Sequence, residues 1–365
     1  MSTSLSCGIV GLPNVGKSTL FNAITRKAAA AANYPFCTID PNVGIVDVSD
    51  PRLAILSKIS GTKKIIPATM TFVDIAGLVA GASEGAGLGN KFLANIRETD
   101  AILEVVRCFE NDDVIHVAGR VDPLADIEVI NLELILADLQ MVENTLQKME
   151  KQIKSKKELL PLFEALKKAE KHLNENQPLR SLQTTTEERA LYAGYPFLTD
   201  KKVLYATNVA EDALPSMENE FVKCVQTFAQ KEGSRVIPIC ARLEEELTQL
   251  SEEEALQYLH SLGLQETGLN RLIKASFEIL DLITFLTTGE METRAWTIKR
   301  GMNAQEAAGK IHTDIQKGFI RAEVISYDDF VKYNGRVGAR EAGKARSEGK
   351  EYIVQDGDVI LFFHN

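Results

Sequence analysis

The chain has 365 residues, enough for two or three domains with cores of their own, and its 45% hydrophobic and 25% charged content is that of an ordinary soluble globular protein. A formal net charge of −10 argues against a generally basic nucleic-acid binder while leaving room for a local basic patch. No run of about 18 apolar residues exists, which excludes a helical membrane span.

The first expected element is a strand at residues 5–10, too close to the start to leave room for a signal peptide. Gly11-Leu12-Pro13-Asn14-Val15-Gly16-Lys17-Ser18 follows, then a helix from about Lys17. Thr69–Asp74 reads as a second strand ending in Asp74-Ile75-Ala76-Gly77, and Asn90–Glu98 as a helix. Ala101–Arg107, Val203–Thr207 and Val236–Ile239 read as further strands. Strands alternating with helices imply a parallel sheet covered on both faces. Between about 126 and 200 the alternation stops. Leu132, Ile135, Leu139, Val142, Leu146, Met149 and Ile153 recur at heptad spacing, and after Ser155-Lys156-Lys157 so do Leu159, Leu162, Leu166, Ala169 and Leu173. Two such stretches around a polar turn predict an antiparallel helical hairpin. From about Leu280 the pattern changes to a small α+β domain. Its expected strands are Trp296–Ile298, Phe319–Ile325, Tyr352–Val354 and Val359–Phe363, with a helix at Ala304–Ile311 and a turn at Gln355-Asp356-Gly357-Asp358. The five cysteines, Cys7, Cys37, Cys108, Cys224 and Cys240, form no C-x-x-C pair, so neither a disulfide framework nor a zinc site is expected and a reducing cytoplasmic location is.

G-x-x-x-x-G-K-[ST] between a strand and a helix is a phosphate cradle. Gly11 and Gly16 let the backbone curl so that N–H groups face a β-phosphate, and the helix start adds its positive dipole end. Lys17 reaches β- and γ-phosphate oxygens, Ser18 offers its hydroxyl to Mg²⁺, and Val15, Gly16 and Thr19 complete the loop. Asp74, at a strand tip, is placed to hold Mg²⁺ through water, and Gly77 to offer an N–H to the γ-phosphate. Thr38, in the proline-punctuated stretch Asn33–Pro41, either completes the Mg²⁺ shell or is an ordinary loop threonine.

Guanine is usually read by N-K-x-D, whose Asp accepts from both N1–H and N2–H₂. Here the fourth strand ends in Asn208-Val209-Ala210-Glu211, with Val for Lys and the longer Glu for Asp. A displaced carboxylate loses the paired geometry, and such sites discriminate strongly when one bond fails. The motif tilts toward ATP, with Asn208 still able to reach a base edge. Leu78 stands where a Ras-like enzyme carries a water-positioning Gln, so hydrolysis is slow or is assisted elsewhere. His116 is the candidate for that assistance, against the plainer reading of a half-buried surface histidine.

These residues resemble the YchF family of Obg-like ATPases, within the translation-factor-related P-loop GTPases. The resemblance rests on residues 8–23, 33–42, 72–98 and 105–112, on Asn208-Val209-Ala210-Glu211, and on the stretches beginning Arg294-Ala295-Trp296 and Ala307-Ala308-Gly309. It covers essentially the whole chain. It implies an α/β G domain over 5–279 with a helical-hairpin insertion over 126–200, and a C-terminal TGS domain of β-grasp type over 280–363. It implies slow hydrolysis of ATP, in preference to or alongside GTP, with Ser18 and Thr38 as Mg²⁺ ligands and His116 as the catalytic residue. It further implies that Asn14 is a ligand for K⁺ as activator, a charge that an arginine finger would otherwise bring. Lys148, Lys151, Lys154, Lys156, Lys157, Lys167, Lys168 and Lys171 on the hairpin read either as a solvated face or as a phosphate-binding patch for ribosomal RNA. Lys344, Arg346 and Lys350 would add to such a surface, and a monomer is expected. Three readings stay open: an ATPase switch on the ribosome, an Obg-like GTPase with relaxed base contacts, and a nucleotide-loaded binding module in which hydrolysis is incidental.

Overall fold

The computed structural model describes residues 5–31, 42–76, 87–111 and 120–365. Among these, the strands in chain order are β1 (Ser6–Val10), β2 (Val43–Asp47), β3 (Ile65–Ile66), β4 (Thr69–Asp74), β5 (Ala101–Arg107), β6 (Lys202–Asn208), β7 (Arg235–Ile239), β8 (Leu282–Thr288), β9 (Thr293–Lys299), β10 (Phe319–Ile325), β11 (Arg346–Glu348) and β12 (Val359–His364). The chain divides into two compact units, Leu5–Gly44 with Phe72–Leu272, and Ile45–Thr71 with Ile273–Asn365.

One six-stranded sheet has the order β2-β4-β1-β5-β6-β7. β1, β5, β6 and β7 run parallel, with Cys7 opposite Ala101, Ile102 opposite Val203 and Tyr205 opposite Val236. Every residue of β5 is buried, as a central parallel strand covered on both faces requires. The registers bring Arg107, Asn208 and Ile239 side by side at the carboxyl ends. Such an edge of a parallel α/β sheet is where ligands bind. The main core of this unit gathers Val10, Ile75, Phe92, Ile96, Val106, Ile127, Ile130, Leu134, Tyr205 and Val222.

The expected hairpin is present. Its first helix, Pro123–Ile153, has proline in its first turn and is capped by Asp122, which accepts from Ala125 N–H. Its second, Leu160–Asn174, buries Leu166, Ala169 and Leu173. The first helix serves two cores. Ile127, Ile130, Leu134 and Ala137 face the sheet, whereas Ile135, Val142, Leu146 and Met149 pack with the second helix. Leu132, expected at the seam, is exposed, because there the helix still presents its core face to the sheet; the seam begins at Ile135.

The second unit carries a mixed sheet ordered β11-β10-β12-β8-β9-β3. The Ala304–Ile311 helix covers one face through Ala304 and Ala307, which pack with Ile283, Phe285, Ile298, Val324 and Ile360. Residues from far upstream complete the unit: β3 adds a parallel edge to β9, and the Arg52–Ser60 helix buries Leu53 and Leu56. Arg52 ties this helix to the Gln355–Asp358 turn through Asp356 at 2.9 Å. Tyr352–Val354, expected as a strand, makes only a single bridge, Ile353 to Asn303. Its backbone partners are a helix start and a loop: Ala304 N–H donates to Tyr352 O at 2.8 Å and Val354 N–H to Met302 O at 3.1 Å.

Candidate active site

The phosphate loop is shaped by close approach and by sign of φ. A Cβ at Gly11 would lie 2.9 Å from the Val105 carbonyl oxygen, so β1 can leave the sheet only through a glycine there. Asn14 and Gly16 are both left-handed, at φ 64° and 95°, and this turns the loop back over the start of the helix Lys17–Ala31. A Cβ at Gly16 would meet Asn208 Nδ2 at 2.1 Å. Lys17 forms an ion pair with Asp74, at the end of β4. The Ile75 N–H donates to Ile9 O at 3.1 Å, fixing that carboxylate beside β1.

The other half of the site is assembled from strand tips. Asn208 Nδ2 donates to Val15 O at 3.0 Å, and its Oδ1 accepts from Ala241 N–H at 3.0 Å. Its backbone carbonyl accepts from Cys108 N–H at 2.8 Å. One asparagine thereby staples the phosphate loop, the end of β5 and the end of β7. Its side-chain amide is engaged with protein on both atoms, so reading a base edge would fall to its unused valences. Val209 is buried and donates its N–H to Ile239 O at 2.9 Å. Glu211 opens the short turn Glu211–Ala213, and its Oε1 lies 3.2 Å from Arg242 Nε.

A third wall follows β5. Arg107 is 1% exposed, and its Nε and Nη2 donate to Phe109 O and Asn111 O at 3.1 and 3.2 Å. Its guanidinium lies 4.6 Å from the centre of the Phe109 ring. Burial lowers the Arg107 pKa while the charge of buried Asp126 raises it. Asn219 Nδ2 donates to Cys108 O at 2.7 Å and holds the same segment from the opposite side. Burial pushes the Cys108 and Cys240 thiols up, so neither is a thiolate nucleophile at neutral pH.

These pieces enclose a cleft of about 1050 Å³. It brings together Asn14, Gly16, Lys17, Ser18, Thr19, Asn208, Val209 and Glu211. Val15 is buried behind the wall and contributes its carbonyl to Asn208. Asp74 meets the cleft through Lys17. Thr38, Gly77, Leu78 and His116 lie outside the described residues. Sequence reasoning missed Phe109, Asn111 and Arg242, which also line the cleft. Each lies within four residues of a β5 or β7 carboxyl end, and that placement was the signal available.

A buried polar group sits below the cleft. Arg180 Nη2 pairs with Glu232 Oε2 at 3.1 Å and donates to Asn131 Oδ1 at 2.8 Å. Tyr205 donates to Glu232 Oε1 at 2.7 Å. Burial pushes the Glu104 carboxyl well above its usual range, against the pull of Arg180.

A curled glycine loop between a strand and a helix, a lysine paired with a strand-tip aspartate, and a cleft large enough for a whole nucleotide over parallel strand ends define a P-loop nucleoside triphosphatase of the GTPase type. A family model described as "50S ribosome-binding GTPase" matches residues 6–168, and one named YchF-GTPase_C, described as a protein of unknown function, matches 282–365. The ribosome-binding ATPase YchF of Haemophilus influenzae is 54% identical over 360 residues, covering 98% of this chain and 99% of that one. Its counterpart from Bacillus subtilis is 52% identical over 364 residues, covering 99% and 100%. The solved structure of the Schizosaccharomyces pombe YchF GTPase superimposes with a TM-score of 0.90 at 38% identity, covering 100% of this chain and 98% of that one. The chain belongs to the YchF family. Among the described residues no helix is long and apolar enough to cross a membrane.

Proposed function

We propose that the protein is a cytoplasmic, ribosome-associated nucleotide switch that hydrolyses ATP to ADP and phosphate at a slow intrinsic rate. The observation that carries this reading is the base end of the cleft, where Asn208-Val209-Ala210-Glu211 replaces the guanine-reading pattern and Glu211 is paired with Arg242 rather than standing free. Its relatives' names, ribosome-binding ATPases, support the same substrate and partner.

In this reading Lys17 leaves Asp74 for the β- and γ-phosphate oxygens, and the loop N–H groups orient the phosphates. The Ser18 hydroxyl and Asp74 carboxylate are hard oxygen donors that fit Mg²⁺, with Thr38 as a further ligand. Mg²⁺ bound there supplies neutralisation of the charge on the transferred phosphoryl group. The side-chain oxygen of Asn14, on the cleft wall, fits K⁺ as an activating charge. His116 takes the water-orienting role that Leu78 cannot fill. Phe109, held by Arg107, offers an apolar face to the base. The hairpin is the RNA-facing arm: Lys148, Lys151, Lys154, Lys156 and Lys157 are exposed around its turn, in a chain acidic overall. We take the chain to act as a monomer.

The test is calorimetric titration of nucleotide-free protein with ADP and GDP in Mg²⁺ and K⁺. Clearly tighter ADP binding is expected. Tighter GDP binding would replace this reading by an Obg-type GTPase.

A further inference from the structure

We propose that Arg242 biases the base preference by holding Glu211 in an ion pair, so that guanine is disfavoured for want of a free carboxylate. This deepens the ATP reading above and rests on it.

Charge is unevenly divided along the cleft. Lys17 is the cation at the phosphate end, and Arg242 is the one among the described lining residues at the other, where Glu110, Glu211, Asp212 and Glu245 also stand. Glu245 is drawn aside by Arg26 at 3.4 Å. Arg242 Nε lies 3.2 Å from Glu211 Oε1 and 3.3 Å from Glu246 Oε1. Glu246 is one turn further along the same helix, Ala241–Leu247, so the guanidinium is tethered to that helix and pulls Glu211 toward it. Guanine presents two donors, N1–H and N2–H₂, that need a carboxylate turned to face them. Glu211 must break its ion pair to do so. Adenine presents one donor and one acceptor on that edge and makes no such demand. Asn208 does not replace the carboxylate, since its amide is already held by Val15 O and Ala241 N–H and offers a neutral oxygen where guanine calls for a charged one. The pair is partly open to water, with side-chain exposures of 49% and 77%, so its influence on affinity is roughly two- to fivefold rather than orders of magnitude.

Calorimetry on the full chain with ADP and GDP, in Mg²⁺, tests this with Arg242→Gln and with Arg242→Gln/Glu211→Gln. Arg242 is exposed, and its replacement leaves the core intact. Arg242→Gln is expected to tighten GDP roughly two- to fivefold and leave ADP unchanged. Adding Glu211→Gln is expected to cancel the gain. Raising sodium chloride should shrink the ADP-over-GDP preference of the wild type and not that of Arg242→Gln, because salt screens an exposed pair. If GDP affinity does not move, if both nucleotides shift alike, or if the gain survives Glu211→Gln, the proposal is wrong while the ATP reading stands. A wild-type protein that prefers GDP removes both.

Discussion

The two ends of the cleft are built by different means. At the phosphate end the work is done by backbone: two residues at positive φ, one glycine against a carbonyl, and a helix start. At the base end it is done by side chains reaching between strand tips: Asn208, Arg107 and Asn219. A backbone-built site tolerates changes that keep its glycines and loses function when a ligand-touching group is removed. A side-chain-built site fails through stability, because each group removed leaves a buried partner unsatisfied.

The largest expected effect is at Arg107. Arg107→Met removes a buried cation that Asp126 favours and frees two carbonyls of the Phe109–Asn111 segment. A loss of about 3–5 kcal/mol in urea unfolding is expected, with a rise in KM exceeding any change in kcat. A loss below 1 kcal/mol would place Arg107 outside the framework. Asn208→Ala strands the Val15 carbonyl and the Ala241 N–H and is expected to cost about 2–4 kcal/mol, again by urea titration without nucleotide. Lys17→Ala should behave in the opposite way. ADP affinity falls roughly ten- to a hundredfold by calorimetry, while the nucleotide-free urea midpoint moves little. Equal damage to stability from Lys17→Ala and Asn208→Ala would erase the contrast.

The smallest effect is a pH dependence under β5, the strand between the two ends. Burial pushes the Glu104 carboxyl well above the usual glutamate range, with Arg180 opposing and Glu232 and Asp126 pushing the same way. Below the usual glutamate range both folded and unfolded chains are protonated, and Glu104→Gln matches the wild type. As pH rises the unfolded chain ionises first, so the wild type loses stability relative to the variant. Urea midpoints at pH 5, 7 and 9 should show a difference that grows with pH; a constant difference would mean that Glu104 is ionised in the fold.

The same division explains what could be read from the chain. The phosphate loop, β1 and the Lys17 helix are encoded within some thirty consecutive residues, and their signals are local. The hairpin was legible because its period is unbroken, and Leu132 misled because one helix serves two cores in succession. The base end was only half legible. Asn208-Val209-Ala210-Glu211 is a motif, but the partners of Asn208 and Glu211 come from Val15, Ala241 and Arg242, and such pairings follow from strand order rather than from spacing. The Arg52–Ser60 helix and β3 joined a unit formed mainly by residues more than 200 positions later, an association no local pattern marks. Tyr352–Val354 has the composition of a strand, yet its backbone partners are a helix start and a loop rather than another strand.

The point where the hairpin leaves the sheet has a consequence for engineering. Asp138 accepts from Leu198 N–H at 3.0 Å, and from Thr199 N–H and hydroxyl at 2.8 and 2.7 Å. The outgoing and returning chains are therefore one hydrogen bond apart, as in a cassette whose two ends share a socket. A short turn in place of residues 140–196 would reconnect them without stretching either. The cassette is also wired back from within: Arg189 pairs with Asp200, and Leu179 N–H donates to Thr199 Oγ1 at 3.2 Å. Arg180 belongs to the excised stretch, and its guanidinium is the countercharge of Glu232, whose carboxylate also receives Tyr205. A clean excision thus needs Glu232→Gln as well, and an armless protein made without it would carry a stranded charge beneath β6.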